Sequence, residues 1–411
     1  MPEPIVLRGV LLSPRSEEQC DYHADAALVV DEGGRIVFRG PFSALPMGYS
    51  ALPVRVAGGV ILPGFVDTHV HVPQFDSRGM HGADLLAWLR DFIFPEEQRF
   101  AVAEVARDVA RRFFAAMHAA GTRTAMVYAS SHEHSTHIAF EEAERSGLRV
   151  LMGAVMMDRN APSALCVPVG EAERAARRLI ERWHRATPRL HYVITPRFGP
   201  TCSEELLRTA GGLAREFDLH VQTHINESCE EIRWVRELFP ESASYADVYD
   251  RAALLGERTV LGHDVHVDDT QLAMIAERGC AVAHCPDSNA VLGSGRFPLQ
   301  KHREHGIRIG LGSDVGAGST LDMRHIANAM ATVQLRSMHP FEKLYMATLA
   351  GAEALGLADR TGSLDVGKDA DYCIVDIGAH FPEGKLLEDL SAVEVASAVL
   401  RPQPQGIRHE V

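Results

Sequence analysis

Residues 64–74 read GFVDTHVHVPQ. An apolar run of strand length ends on two histidines one residue apart, and a proline then stops the pattern. Side chains alternate across a strand, so His69 and His71 point the same way. Two convergent imidazoles at a strand end suit a divalent metal such as Zn2+, each bound through one nitrogen at about 2.0–2.1 Å. An H-x-H pair alone equally describes polar strand-end histidines satisfied by hydrogen bonds. The choice depends on what the rest of the chain brings to the same place.

Seven more apolar runs follow: TRTAMVYAS (122–130), LRVLMGAVM (148–156), LHYVITPRF (190–198), LHVQTH (219–224), TVLGHDV (259–265), CAVAHCP (280–286) and IRIGLGSD (307–314). Helix-period stretches such as FAVAEVARDVARRFFAAMHAAG (100–121) and SEELLRTAGGLAREFD (203–218) lie between them. Eight strands alternating with helices over roughly 250 residues predict an α/β fold, a (β/α)8 TIM-type barrel. A doubly wound sheet would accept the same alternation. The polar residues favour the barrel: His69, His71, Arg197, His224 with Glu227, His263, His284 and Asp314 stand at or just beyond the C-terminal ends of the runs. In a barrel those ends meet at one mouth, where catalytic groups gather.

The chain ends have a different character. PIVLRGVLLS (4–13), ALVVDEGG (27–34) and GRIVFRG (34–40) read as short strands separated by turns, and GSLDVGKDADYCIVDI (362–377) reads alike. The expectation is a small β-sandwich domain built from both termini, residues 1–57 and 359–411, around a barrel over 58–358. After DYCIVDI the tail is short and carries no pattern for further closing strands.

Composition narrows the partners. The 411 residues carry a formal charge of −14, which opposes a nucleic-acid surface, since phosphate backbones are gripped by clustered Lys and Arg. ARDVARRFF (106–114) reads as the solvated face of a helix. The seven cysteines are odd in number, scattered and without a C-x-x-C pair, so neither a disulfide framework nor a thiolate zinc site is indicated. The N-terminus lacks a charged region followed by a long apolar one, and no apolar run is long enough to span a bilayer. A cytoplasmic protein with a small-molecule partner is expected, with no nucleic acid and no membrane.

His224 ends the fifth run and Asp314 the eighth, so three nitrogens and one carboxylate oxygen could surround one ion with a position left for water. Asp314 alone could instead cap the next helix. Glu227, in HINE, could pass a proton between water and substrate, or be a first-turn Glu favoured by the helix dipole. His263 could polarise water or a developing oxyanion, or be a satisfied core histidine. HEHSTH (132–137) lacks the second histidine of a zinc helix, because position 136 is Thr136; it reads as a loop and helix start, with His132 lining the pocket. Cys202 and Cys285 read as buried structural thiols rather than nucleophiles.

PGFVDTHVH, HINE, VLGHDV, AHCPDSN and GLGSDVGAG, in that order, resemble the amidohydrolase superfamily. HVHVPQ, LLAWLRDFIFPEEQRF, ITPRFGPTCSEELL and THINESCEEI narrow the resemblance to its nucleobase deaminase branch with one metal, over residues 58–370. The resemblance implies one zinc ion per chain, with Fe2+ as the alternative, on His69, His71, His224 and Asp314. It implies purine contacts from Gln74, Arg197 and Phe198, joined by His71, His224, Glu227 and Asp314, and proton transfer by Glu227 with help from His263 and Asp314. The implied reaction is hydrolytic deamination of guanine to xanthine, in a homodimer. YVITPRF offers no strand-four lysine, which fits a mononuclear site. Arg197 carries only donors in a planar fork, suited to the O6/N7 edge of guanine, and Gln74 offers both a donor and an acceptor. Phe198 could stack on a purine or pack in the core. A related deaminase or chlorohydrolase acting on pterins, other purines or triazines would share the metal residues. An inactive scaffold barrel would have lost some of them.

Overall fold

The run at Phe65–His71 is a strand in which every residue is buried, and it belongs to a ring of similar runs. The computed structural model describes residues 3–80, 82, 84–382 and 385–402; the expectation for residues 403–411 lies outside them. The strands in chain order are β1 (Ile5–Pro14), β2 (Cys20–Val30), β3 (Ile36–Pro41), β4 (Val54–Val56), β5 (Val60–Pro63), β6 (Phe65–His71), β7 (Thr122–Tyr128), β8 (Arg149–Gly153), β9 (Val155–Met156), β10 (Leu190–Pro196), β11 (His220–Ile225), β12 (Thr259–His263), β13 (Ala281–His284), β14 (Arg308–Leu311) and β15 (Tyr372–Val375). The chain divides into two compact units, one of Met1–Val66, Met117–Thr124 and Asp322–Val411, the other of Asp67–Ala116 and Ala125–Leu321.

In the first unit both chain ends meet in one mixed sheet of order β15-β5-β1-β2-β3, with β4 also on β1. Strand β15 runs antiparallel to β5, with Cys373 opposite Leu62 and Ile374 opposite Ile61. Period-2 alternation gives the sheet two apolar faces. Leu7, Leu11, Leu28, Ile36, Ile61 and Ile374 pack on one, and Val6, Ala27 and Val29 on the other, under Phe38, Phe42 and Tyr49. After β15 the described residues add a helix, Ala392–Val399, started by a reciprocal cap between Ser391 and Glu394.

The second sheet has the order β14-β13-β12-β11-β10-β8-β7-β6, with β9 beside β10. Eight parallel strands with helices between them form a nearly closed (β/α)8 barrel among the described residues. The first and last strands are tied by polar bonds. Thr68 Oγ1 donates to Leu311 O at 2.9 Å, Ser313 N to Asp67 Oδ1 at 3.0 Å, and Asp314 N to His69 O at 2.9 Å. Such close approach needs Gly310, where a Cβ would lie 2.4 Å from Thr68 Cγ2. Asp67, His69 and His71 share one face of β6 by alternation, so the strand's polar face carries the closure at one end and the two histidines beyond it.

The helices start where their side chains supply caps. Ser203 accepts from Leu206 N before Glu204–Glu216, and Ser228 opens Cys229–Leu238 with a capping box to Glu231. That second cap stands one residue after Glu227, so the helix start sets where the Glu227 side chain begins. No helix among the described residues is long and apolar enough to cross a membrane.

Candidate active site

Strand β6 delivers His69 and His71, and β11 delivers His224. His71 Nε2 lies 3.2 Å from His69 Nε2 and 3.3 Å from His224 Nε2. The Asp314 carboxylate follows β14, its backbone turned into the left-handed region at φ 47, a conformation that Asp tolerates better than most residues. Its Oδ1 is 3.5 Å from His69 Nε2 and 3.4 Å from His71 Nε2.

These four groups fit a divalent ion. Burial lowers the pKa of His69, takes His71 down to about 3 and holds His224 well below the usual imidazole range. All three rings are therefore neutral, the form that binds metal. Nδ1 of His224 faces the Arg197 carbonyl at 2.7 Å; a carbonyl only accepts, so the proton sits on Nδ1 and the lone pair on Nε2. The Nε2 atoms of His69 and His224 lie 3.2 and 3.3 Å from that of His71, a ready set of metal donors once each ring carries its proton on Nδ1. Tetrahedral donors at about 2.0–2.1 Å from one ion stand roughly 3.3–3.4 Å apart, close to the 3.2–3.5 Å that separates His71 from His69, His224 and Asp314, and His69 from Asp314. Asp314 is buried, which alone would raise its pKa, but contacts with His69 and His71 outweigh this and hold it well below the usual range.

A proton-transfer pair stands beside this cluster. Burial raises the Glu227 carboxyl to about 7, with His263 pulling it down and Asp314 and Glu231 pushing it up. Its Oε2 is 3.5 Å from His263 Nε2, and Ser294 Oγ donates to its Oε1 at 3.2 Å. His263, with φ 71, ends β12; its Nδ1 donates to Asn289 Oδ1 at 2.9 Å, which aims Nε2 at Glu227 and at Asp314 Oδ2, 3.9 Å away. Burial lowers the pKa of this ring, yet Glu227 and Asp314 outweigh it, and the net shift is upward.

One cavity joins these groups, lined by His71, His224, Glu227, His263 and Asp314 together with Gln74, Arg197 and Phe198. Leu85, Trp88, Leu89 and Leu292 complete its wall. A small polar set in a mostly apolar cleft is the usual form of a small-molecule site. Phe198 is buried and meets His224 edge-on, with ring centroids 6.5 Å apart.

Other expectations fall elsewhere. His284 ends β13 but is buried outside the cavity, stacked on Phe297 at 4.4 Å. His132 precedes the helix Glu133–Ser146, as the loop-and-helix reading anticipates, but does not line the cavity. Cys202 and Cys285 are buried and unpaired; burial pushes the Cys202 thiol to about 12 and Cys285 well above its usual range. Neither is a thiolate near neutral pH in the metal-free chain; Cys285 lies in reach of His69, His263 and Asp314.

Sequence reasoning missed three supports. Asn289 orients His263. Glu231 accepts from Glu227 N at 2.9 Å and from Tyr245 Oη at 2.8 Å; the capping-box spacing from Ser228 was its available signal. Glu97 accepts from Arg197 Nη1 at 2.8 and 2.7 Å; it lies in LLAWLRDFIFPEEQRF, one of the stretches that carries the resemblance, but nothing in that stretch singles it out.

The sequence matches the Amidohydrolase family over residues 60–405. It is 40% identical over 323 residues to a guanine deaminase of Escherichia coli, covering 78% of this chain and 73% of that one. It is also 40% identical over 360 residues to a probable guanine deaminase of Deinococcus radiodurans, covering 85% and 82%. The fold is similar to that of a guanine deaminase from C. acetobutylicum solved with bound guanine in the active site, with a TM-score of 0.91, 28% identity and coverage of 97% and 96%.

Proposed function

The chain belongs to the amidohydrolase family, and from that premise we propose that it hydrolyses guanine to xanthine and ammonia. One observation carries the reading. His71, His224 and Asp314 of the ion cluster, the Glu227–His263 pair and Arg197 all line a single cavity.

His69, His71, His224 and Asp314 would hold the ion, for which zinc is the proposal and Fe2+ the alternative. When bound, such an ion acts as a Lewis acid that lowers the pKa of a water from about 15.7 toward about 7. Glu227 takes a proton from the water that adds to C2 and hands it to ring N3. The C2–O bond forms; Glu227 then takes the second proton of the added water from the C2 hydroxyl and passes it to the amino group, which leaves as ammonia as the C2–N bond breaks and the C2 carbonyl of xanthine forms. His263 carries a raised pKa and faces the same carboxylates, so it supports charge developing at C2. Arg197 offers donors to O6 and N7, and Phe198 a ring for the base to rest on. An amino group at C6 would meet those donors head-on, which disfavours adenine.

The homologues named above act on guanine by their own names, and this supports the choice of base. The further reading, a homodimer in the reducing cytoplasm, rests on the family likeness and on seven unpaired cysteines. Ammonia release from guanine, pterin and cytosine, measured beside metal content, tests the proposal. Guanine is expected to dominate with about one ion per chain; metal-loaded protein that releases no ammonia from guanine overturns it.

A further inference from the structure

Glu97 is buried and belongs neither to the imidazole cluster nor to the proton-transfer pair. It sits in the short helix Phe94–Gln98, which follows a π-helical turn over Leu89–Ile93, a local insertion common at functional sites. Its carboxylate holds two other side chains at once. Oε1 accepts from Arg197 Nη1 at 2.8 Å and from Gln74 Nε2 at 3.3 Å, and Oε2 accepts from Arg197 Nη1 at 2.7 Å. Both partners are those assigned above to recognition of the base.

A carboxylate paired with a guanidinium offers acceptors only. Gln74 must therefore turn its NH2 group toward Glu97, and its Oε1 faces away. That oxygen is buried and, among the described residues, has no hydrogen-bond partner. It lies where a Cβ on Gly316 would stand 2.3 Å from it, so the glycine makes room for the amide in this orientation. A buried carbonyl oxygen without a donor is costly, and a donor on the bound base would satisfy it. The even-handed donor and acceptor role expected of Gln74 from sequence is thus narrowed, one N–H being committed to Glu97. Arg197, gripped at Nη1 alone, makes no other side-chain hydrogen bond among the described residues.

We propose that Glu97 is a positioning residue that sets the polarity of base recognition, holding Gln74 as the acceptor and Arg197 as the donor. The pocket then selects a ring in which an exocyclic oxygen stands next to a ring N–H. Guanine presents this edge as O6 and N1–H. In 2,6-diaminopurine both signs are reversed, with an amino group at C6 and a bare lone pair at N1. The inference deepens the proposed function and rests on it.

The test compares kcat/KM for guanine and 2,6-diaminopurine in the wild-type holoenzyme, Glu97→Gln and Glu97→Asp, with metal content and thermal melting alongside. The wild type is expected to prefer guanine by about 100-fold or more. In Glu97→Gln the Gln74 amide is free to turn, so the preference falls at least about tenfold, mainly through KM for guanine, while metal content holds. Glu97→Asp keeps a charge opposite Arg197 but withdraws from Gln74; it serves where the Gln variant does not fold, and its preference falls likewise. A folded, metal-loaded variant in which both bases lose equally, leaving the ratio unchanged, overturns the proposal. So does a wild type that treats the two bases alike. Absence of ammonia from both bases overturns instead the function on which the inference rests.

Discussion

Nδ1 of His224 lies 2.7 Å from the backbone carbonyl oxygen of Arg197. The same residue that points a guanidinium into the cavity thus fixes, through its main chain, which nitrogen of a proposed metal ligand carries the proton. Recognition of the base and preparation of the ion site are joined at one peptide unit, while the side chain of Arg197 remains free to be changed on its own.

Arg197→Met separates the two roles. The carbonyl stays, so His224 keeps its tautomer and metal content is expected to match the wild type. The donor fork is lost, and kcat/KM for guanine falls about 10- to 150-fold, the worth of one bidentate base contact. Glu97 is left buried without its partner, which costs about 3–5 kcal/mol of stability. Metal analysis, steady-state kinetics and a denaturant melt check the three parts, and metal lost in step with activity would show that the roles are not separable.

Glu227→Gln keeps the shape of the side chain and removes its capacity to move a proton. Metal should remain bound and kcat fall by about 10²- to 10⁴-fold, with KM changed far less. Near-normal kcat in a metal-loaded variant would assign the proton transfer to another group.

Much of this was legible in the sequence, for physical reasons that also mark where legibility stops. The eight apolar runs are strands because a buried parallel strand must be apolar over its whole length, and β6 is buried at every residue. The strand-end residues His69, His71, Arg197, His224, His263 and Asp314 converge because a barrel brings all its C-terminal strand ends together. His284 stands at a strand end too, yet packs on Phe297, since the rule places the residue but not the direction of its ring. Glu97 could not be foreseen. Its meaning comes from an ion pair with a residue 100 positions later, on a segment whose π-helical turn breaks the helical period. Leu85, Trp88 and Leu89 show the same limit: their i, i+3, i+4 spacing announces an apolar helix face without saying that it walls a ligand cavity.

Gly312→Ala reaches the ion site through packing alone. A Cβ at Gly312 would stand 2.6 Å from the Cβ of His69 and 2.8 Å from Cys285 Sγ. The His69 Cβ is tied to its backbone and cannot swing aside, so the histidine must shift. Metal affinity, measured by competition with a chelator, is expected to fall about 10- to 100-fold, as for loss of a ligand's support, and stability by about 1–3 kcal/mol for overpacking. Unchanged affinity would mean that β6 and β14 part more easily than their bonds at Asp67, His69 and Thr68 indicate.

The pH dependence of stability follows from Glu227. Burial raises its carboxyl from 4.5 to about 7, so the folded chain binds this proton more tightly than the unfolded one. Below pH 4.5 both states are protonated and the group costs nothing electrostatically. As pH rises toward 7 the unfolded chain ionises freely while the folded one resists, and stability is lost through that window, by roughly 3 kcal/mol once above it. Asp67, raised by burial to about 7 despite bonds from Ser313, acts with the same sign. Glu227→Gln has no proton to lose, so in metal-depleted protein it should melt progressively higher than the wild type between pH 5 and pH 8. The gap should be smallest at the acid end and level off above neutrality. A gap that is constant across the range, or widest at pH 5, would mean that the Glu227 carboxyl ionises in the folded protein as easily as it does in water.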